Sequence, residues 1–328
     1  MKATVIITAM DREEFILDAL TSVLKARYSS NTYVDVIVIK NFRNGFIDKK
    51  ISDFGIKNIY SRHTGLGHKI IECLEFIRGE FVLFLEDDDK FLEGKLKRFF
   101  NVIDSYPNLS FYHNSFETVF LESKFSIKRK SLNPRDYIYI NPNKKQFNKS
   151  VESALRGSVA HNLSSMAIRT DILLSFSDII REVTFSLDHV LFLIALDSSD
   201  PIFVDHVVLT QILIHNSASN LAFNTRYIES KREFLLKTIH ELNLCREHLR
   251  HDYSIEVCSD FILEVELHLK LLEATEKFHT KELPKDLLKL IIKRRSFVML
   301  FMLLMLIPNK IFRFMNISLY SVFGKFFK

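Results

Sequence analysis

The sequence predicts an α/β protein: a mostly parallel sheet covered by helices on both faces, followed by a helical C-terminal extension. Three observations carry this. Apolar, β-branched runs at residues 4–8, 34–39 and 81–85 alternate with stretches of helical period at 13–25, 67–77 and 92–106. The run 81–85 contains no charge, as expected of a strand buried on both faces. From about residue 224 onward the pattern is helical, and 226–250 and 255–278 have the lengths of an antiparallel pair.

In chain order, residues 4–8 read as a buried first strand and not as part of a signal peptide, which needs a longer apolar region and a small-residue cleavage site. The first helix puts Phe15, Ile16, Ala19, Leu20, Val23 and Leu24 on one face. Residues 34–39 are the second strand and 58–61 a short third. The helix 67–77 turns Ile70, Ile71, Leu74 and Ile77 inward, and the helix 92–106 stops at Pro107. Residues 121–150 are basic and read as a long loop-rich insertion. Beyond them, 163–168 reads as a strand, 171–180 and 187–196 as helices, and 202–204 and 207–214 as strands joined by a turn at Asp205-His206.

The chain has 328 residues, 47% hydrophobic and 26% charged, enough for one large domain with an appendage. Cys73, Cys245 and Cys258 have no metal-ligand spacing and are expected to be buried thiols. The net charge of +5 hides an asymmetry: residues 285–328 hold nine Lys/Arg against the single acid Asp286. That segment also contains eleven consecutive apolar residues, 297–307, between basic flanks. A spanning helix needs about 20. The run is therefore expected to lie at a membrane surface, with internal packing as the alternative. Nucleic acid is not an expected partner, because these basic residues flank an apolar run and not a polar groove with stacking aromatics.

The chemistry concentrates at Glu86-Asp87-Asp88-Asp89, directly after the strand 81–85. Ligands of open α/β sheets bind beyond the carboxyl ends of strands. Adjacent carboxylates repel, and an all-oxygen set suits Mg2+ or Mn2+ together with substrate phosphates. The other reading of the run is that Asp88 or Asp89 caps the following helix while the rest are solvated.

The segment RHTGLGHKIIECLEFIRGEFVLFLEDDDKFLEGKL resembles glycosyltransferase family 2, whose fold is GT-A. In that family a helix of pattern N-x-G-x-x-A leads through a G-E strand into an acidic D-x-D corner. Gly65 and Gly79 match its two glycines, VIITAMDREEFILDALTSVL its opening strand and helix, and DVIVIKN its second strand. FSLDHVLFLIAL and PIFVDHVVLTQILIHNSAS fit its downstream half. The resemblance implies a nucleotide-sugar donor held by Thr8, Ala9, Asp11, Arg12, Lys40, Asn41, Gly65, Lys69, Glu86 and Asp87. It implies a Mg2+ or Mn2+ ion on Asp88 and Asp89 with His215, and Asp188 as the catalytic base. It also shows departures: Lys40-Asn41-Phe42-Arg43 stands where the family reads the nucleotide base with an Asp. Leu187 stands where an acid precedes the base, Ile70 where a helix Arg is common, and Glu86 at the first acid of D-x-D.

The expectation is an inverting, metal-assisted glycosyltransferase. It moves a sugar from a UDP-, GDP- or dTDP-linked donor to a glycan or lipid-linked acceptor. Its expected organisation is a catalytic domain at 1–222 (donor half 1–120, acceptor half 121–222), a helical hairpin at 223–283 and a membrane-associating tail at 284–328. Its expected location is cytoplasmic, peripheral or interfacial on the cytoplasmic membrane. Two competing readings are a nucleotidyltransferase and a non-catalytic membrane-attached scaffold of the same fold. The first would want a Gly-rich loop after the first strand, where Ala9-Met10-Asp11-Arg12 has no Gly. The second is motivated by the departures at Lys40-Asn41 and Glu86.

Overall fold

The structure, a computed structural model, describes residues 3–30, 33–120, 126–127, 137–214 and 225–277. His215, most of 121–136 and the tail 284–328 with its apolar run therefore lie outside the described residues. The chain divides into two compact units, Met1–His215 with Glu247–Ser254, and Asn216–Arg246 with Ile255–Lys328.

The first unit is built in chain order from β1 (Ala3–Ala9), α1 (Ile16–Ser30), β2 (Asp35–Lys40), α2 (Gly45–Asp53), β3 (Lys57–Tyr60), α3 (Leu66–Cys73) and β4 (Phe81–Glu86). It continues with β5 (Lys90–Phe91), α4 (Lys95–Ser105), β6 (Phe111–Phe120), β7 (Ser126–Ile127), β8 (Tyr137–Ile140), α5 (Phe147–Arg156) and β9 (Met166–Arg169). Helices α6 (Thr170–Ser175), α7 (Ser177–Glu182) and α8 (Leu187–Asp197) precede β10 (Ile202–Ile214). The strands form one sheet in the order β3-β2-β1-β4-β9-β6-β10-β5, with β7 on β6 and β8 on β10. Pairing among β3, β2, β1 and β4 is parallel, and β9 runs antiparallel between β4 and β6.

Burial explains the central strands: all seven residues of β1 are buried, as are the first five of β4. Helix α8 is buried at Leu187 and throughout 190–197, so its sequence over 190–196 is apolar all round. Two glycines are fixed by close approach. A Cβ on Gly67 would lie 1.7 Å from the Ile180 carbonyl oxygen, and one on Gly79 would lie 2.4 Å from the Ala3 backbone.

Several expectations need correction. Residues 202–214 are one strand and not two: Asp205-His206 is a bulge, where the register against β6 shifts between Asp205 and Val208. Asp205 is buried there and takes two hydrogen bonds from Arg98 and one from Tyr112. The 121–150 region is less loop-like than its composition suggests, since it holds β7, β8 and the start of α5. Helix α2, capped by the Asn44 side chain, and the ten-residue strand β6 have no counterpart in the sequence reading.

The second unit contains most of α9 (Thr225–His248) and α10 (Asp252–Lys277). The Cys258 thiol donates to the Leu242 carbonyl at 3.2 Å, so the two helices fold back antiparallel. All three cysteines are buried. No helix among the described residues is long and apolar enough to cross a membrane.

Candidate active site

Parallel pairing brings the ends of β1, β2 and β4 together: Thr8 pairs with Ile39 and with Glu86, and Ala9 with Lys40. The chain beyond β4 is pinned there. Asp87 N–H donates to the Thr8 carbonyl at 3.0 Å, and Glu86 N–H donates to the Ser164 hydroxyl at 3.0 Å. Four carboxylates are thereby held in a corner in which Asp87 and Asp89 are almost wholly buried.

Burial and repulsion from their neighbours suppress the ionisation of Glu86, Asp87 and Asp89. Burial, then Asp89 and Asp88, push Glu86 well above the ordinary carboxylate range. Burial and the charge of Asp88 raise Asp87 to about 6 despite Arg12. Burial and Asp88 also raise Asp89, although Ser164 and the Leu213 N–H bond it. The Arg12 guanidinium is ion-paired to both Asp87 and Asp88. The donors here are all oxygen, the chemistry that suits Mg2+ or Mn2+ shared with substrate phosphates, and a cation would relieve the repulsion that raises Glu86, Asp87 and Asp89.

The donor-side residues of the sequence reading surround this corner. The loop after β1 turns at Asp11, whose φ of 55° is a left-handed conformation that Asp tolerates. Asp11 and Asn41 clasp each other, with Asp11 N–H to Asn41 Oδ1 at 2.9 Å and Asn41 Nδ2 to Asp11 Oδ1 at 2.8 Å. Lys69 is buried and donates to the Ala9 carbonyl at 2.8 Å. Burial lowers its pKa, against the pull of Asp87. Lys40 is also buried, and its ammonium is taken up by the Phe42 carbonyl and by Asp48, both at 2.7 Å. Gly65 is the N-cap of α3, with Thr184 Oγ1 3.5 Å from where its Cβ would be.

Asp188 stands in the first turn of α8, partly buried. Its Oδ1 is within 2.9 Å of both the backbone nitrogen and Nδ1 of His189. Burial works to raise its pKa, but His189 and His161 overcome this and hold it below the ordinary carboxylate value. The His161 ring meets His189 edge-on, with centroids 4.9 Å apart.

Four residues of this region escaped the sequence reading. His161 and Ser164 come from a segment whose Asn162 has a φ of 68°. Ser164 touches the acidic corner while His161 reaches Asp188, so this short stretch ties the two places together. Lys95 is buried beside Asp89 and donates to the Ser164 carbonyl at 2.6 Å and to Thr210 Oγ1 at 2.8 Å. His189 could have been found as the neighbour of Asp188. The other three had no local signal.

Residues 4–160 match the model of the family described as glycosyl transferase family 2. No curated protein matches the chain in sequence. Among solved structures, S. aureus TarS is similar at 17% identity and a TM-score of 0.50, covering 76% of this chain and 43% of its own. The chain thus spans less than half of that protein. S. aureus TarS 1-349 in complex with UDP-GlcNAc is similar at 16% identity and a TM-score of 0.50, covering 83% of this chain and 78% of its own. The mannosyltransferase PcManGT from Pyrobaculum calidifontis, in complex with GDP-Man and Mn2+, is similar at 11% identity and a TM-score of 0.53. It covers 99% of this chain and 86% of its own.

Proposed function

We propose that this chain, a glycosyltransferase that belongs to family 2 and has the GT-A fold, transfers a sugar with inversion from a nucleotide donor to a hydroxyl of a glycan or lipid-linked acceptor. One observation carries the reading. Two carboxylate environments in one unit are driven in opposite directions: Asp87 up to about 6 in the corner, and Asp188 below the ordinary range. Opposed environments of this kind separate a cation-binding role from a proton-accepting one.

In this reading Asp88 and Asp89, with His215, hold a Mg2+ or Mn2+ ion, and Glu86 and Asp87 complete the corner. The cation, when bound, would supply charge stabilisation to the leaving diphosphate. Thr8, Ala9, Asp11, Arg12, Lys40, Asn41, Gly65 and Lys69 form the donor side. Asp11 and Asn41 keep the loops after β1 and β2 in register, and Lys40 acts through its hold on Phe42 and Asp48. Asp188 accepts the proton of the acceptor hydroxyl as its oxygen bonds to the anomeric carbon, while the bond from that carbon to the phosphate oxygen breaks. The ligands named for the similar structures, UDP-GlcNAc for TarS 1-349 and GDP-Man with Mn2+ for PcManGT, support a nucleotide sugar and a divalent cation.

The proposed organisation places catalysis in 1–222, a helical hairpin in 223–283, and attachment to the cytoplasmic membrane face in the basic, apolar 284–328. A binding screen of UDP-, GDP- and dTDP-sugars with and without Mn2+ tests the donor. One nucleotide class should bind only with the cation, and Asp88→Ala should lose it. Binding of none of them would contradict the reading.

A further inference from the structure

We propose that His161, Asp188 and His189 form a second cation site, selective for an imidazole-preferring transition metal such as Zn2+, and that a metal held there inhibits transfer. The proposal rests on the reading of Asp188 as the base.

The three residues each bring a ligand atom, and these atoms lie within 4.8 Å of one another. Around a tetrahedral ion with bonds of about 2.0–2.1 Å, ligand atoms sit roughly 3.4 Å apart, so small side-chain rotations close the set. One pair is already closer than that, since His189 Nδ1 is 2.9 Å from Asp188 Oδ1. All three are partly exposed, which leaves a path for the ion. The third ligand is fixed in place: the His161 carbonyl is bonded by His113 Nε2 at 3.0 Å, ahead of the left-handed turn at Asn162.

The ligand chemistry separates this place from the acidic corner. Two nitrogens and one oxygen with open positions suit Zn2+, Co2+ or Ni2+, whereas the four-carboxylate corner suits Mg2+ or Mn2+. The N-terminus of α8 presents positive partial charge to the site, which disfavours a loosely held hard cation. A metal with strong imidazole bonds overcomes that. Once bound, it occupies the oxygen of Asp188 that would otherwise take the acceptor proton.

The test uses the full chain. Co2+ is titrated into the Asp88→Asn variant, in which the acidic corner is impaired, and the visible absorption of four- or five-coordinate Co2+ is followed. The expected result is a saturable band at one equivalent, weakened by roughly 10–100-fold in affinity when His161→Ala is added. In parallel, Zn2+ is titrated against transfer at saturating Mn2+, each variant being compared with its own zinc-free rate. The expected result is inhibition that a chelator reverses, shifted to at least tenfold higher Zn2+ by His161→Ala. No band, or a band and an inhibition indifferent to His161→Ala, overturns the site. His161-dependent Co2+ binding, together with a wild-type chain that transfers no sugar at saturating Mn2+, supports the metal site and overturns Asp188 as the base.

Discussion

The Arg12 guanidinium, on the loop after β1, is ion-paired with Asp88, on the loop after β4. It also engages Asp87, so without a divalent cation it is the nearest positive charge to the corner. Arg12→Ala should therefore destabilise the cation-free protein by about 1–3 kcal/mol, because buried carboxylates lose their partner. Added Mn2+ should recover much of the loss. Thermal melts with and without Mn2+ check this, and an equal loss in both would place Arg12's role elsewhere.

The corner makes stability depend on pH. The folded pKa of Asp87, about 6, lies above the unfolded value near 4, and Glu86 and Asp89 are shifted the same way. Groups raised in this manner contribute stability that is present below the unfolded pKa and lost as pH rises through the folded one. Asp188 is shifted in the opposite direction and favours folding at higher pH. Mn2+ should therefore raise the melting temperature more at pH 8 than at pH 5, and Asp88→Ala should shrink that difference. The same Mn2+ shift at both values would mean that the corner does not hold the ion.

Gly67→Ala should be severe. Its Cβ would meet the Ile180 carbonyl oxygen at 1.7 Å and that of Val183 at 2.6 Å, and backbone atoms yield little. The expected cost is above about 3 kcal/mol in denaturant unfolding. Gly65→Ala, whose nearest atoms would be side-chain atoms at 3.5 Å, should cost less than about 1 kcal/mol.

Asp197 is a buried carboxylate that anchors the segment 247–254. It accepts from Arg250 N at 2.9 Å, His251 N at 3.0 Å and Ser254 Oγ at 2.5 Å. Asp197→Ala strands these donors and should cost about 3 kcal/mol. Limited proteolysis should then cut first within 247–254. Cleavage elsewhere with unchanged stability would show that the anchor is dispensable.

The sequence made the parallel half of the fold legible because β1, β2 and β4 are apolar on both faces, a pattern that leaves little choice. It hid β6, where His113, Asn114 and Glu117 interrupt the apolar run. Asn114 is buried and donates from Nδ2 to Thr210 Oγ1 across the sheet, a tertiary pairing that no local window reveals. The bulge in β10 read as a turn for the same reason: Asp205 is buried only because Arg98 and Tyr112 meet it. At the site, the acidic run announced itself by charge density. Ser164 and Lys95 did not, since each matters through a partner distant in sequence.

The most direct measurement of the central claim is the rate of sugar transfer, with Mn2+ and the donor that binds, for wild type and Asp188→Asn at equal donor occupancy. The rate should fall by about 10²–10⁴-fold in Asp188→Asn while donor affinity is kept. Transfer at the wild-type rate by Asp188→Asn would contradict the assignment of the base, and with it the division of labour between Asp188 and the acidic corner.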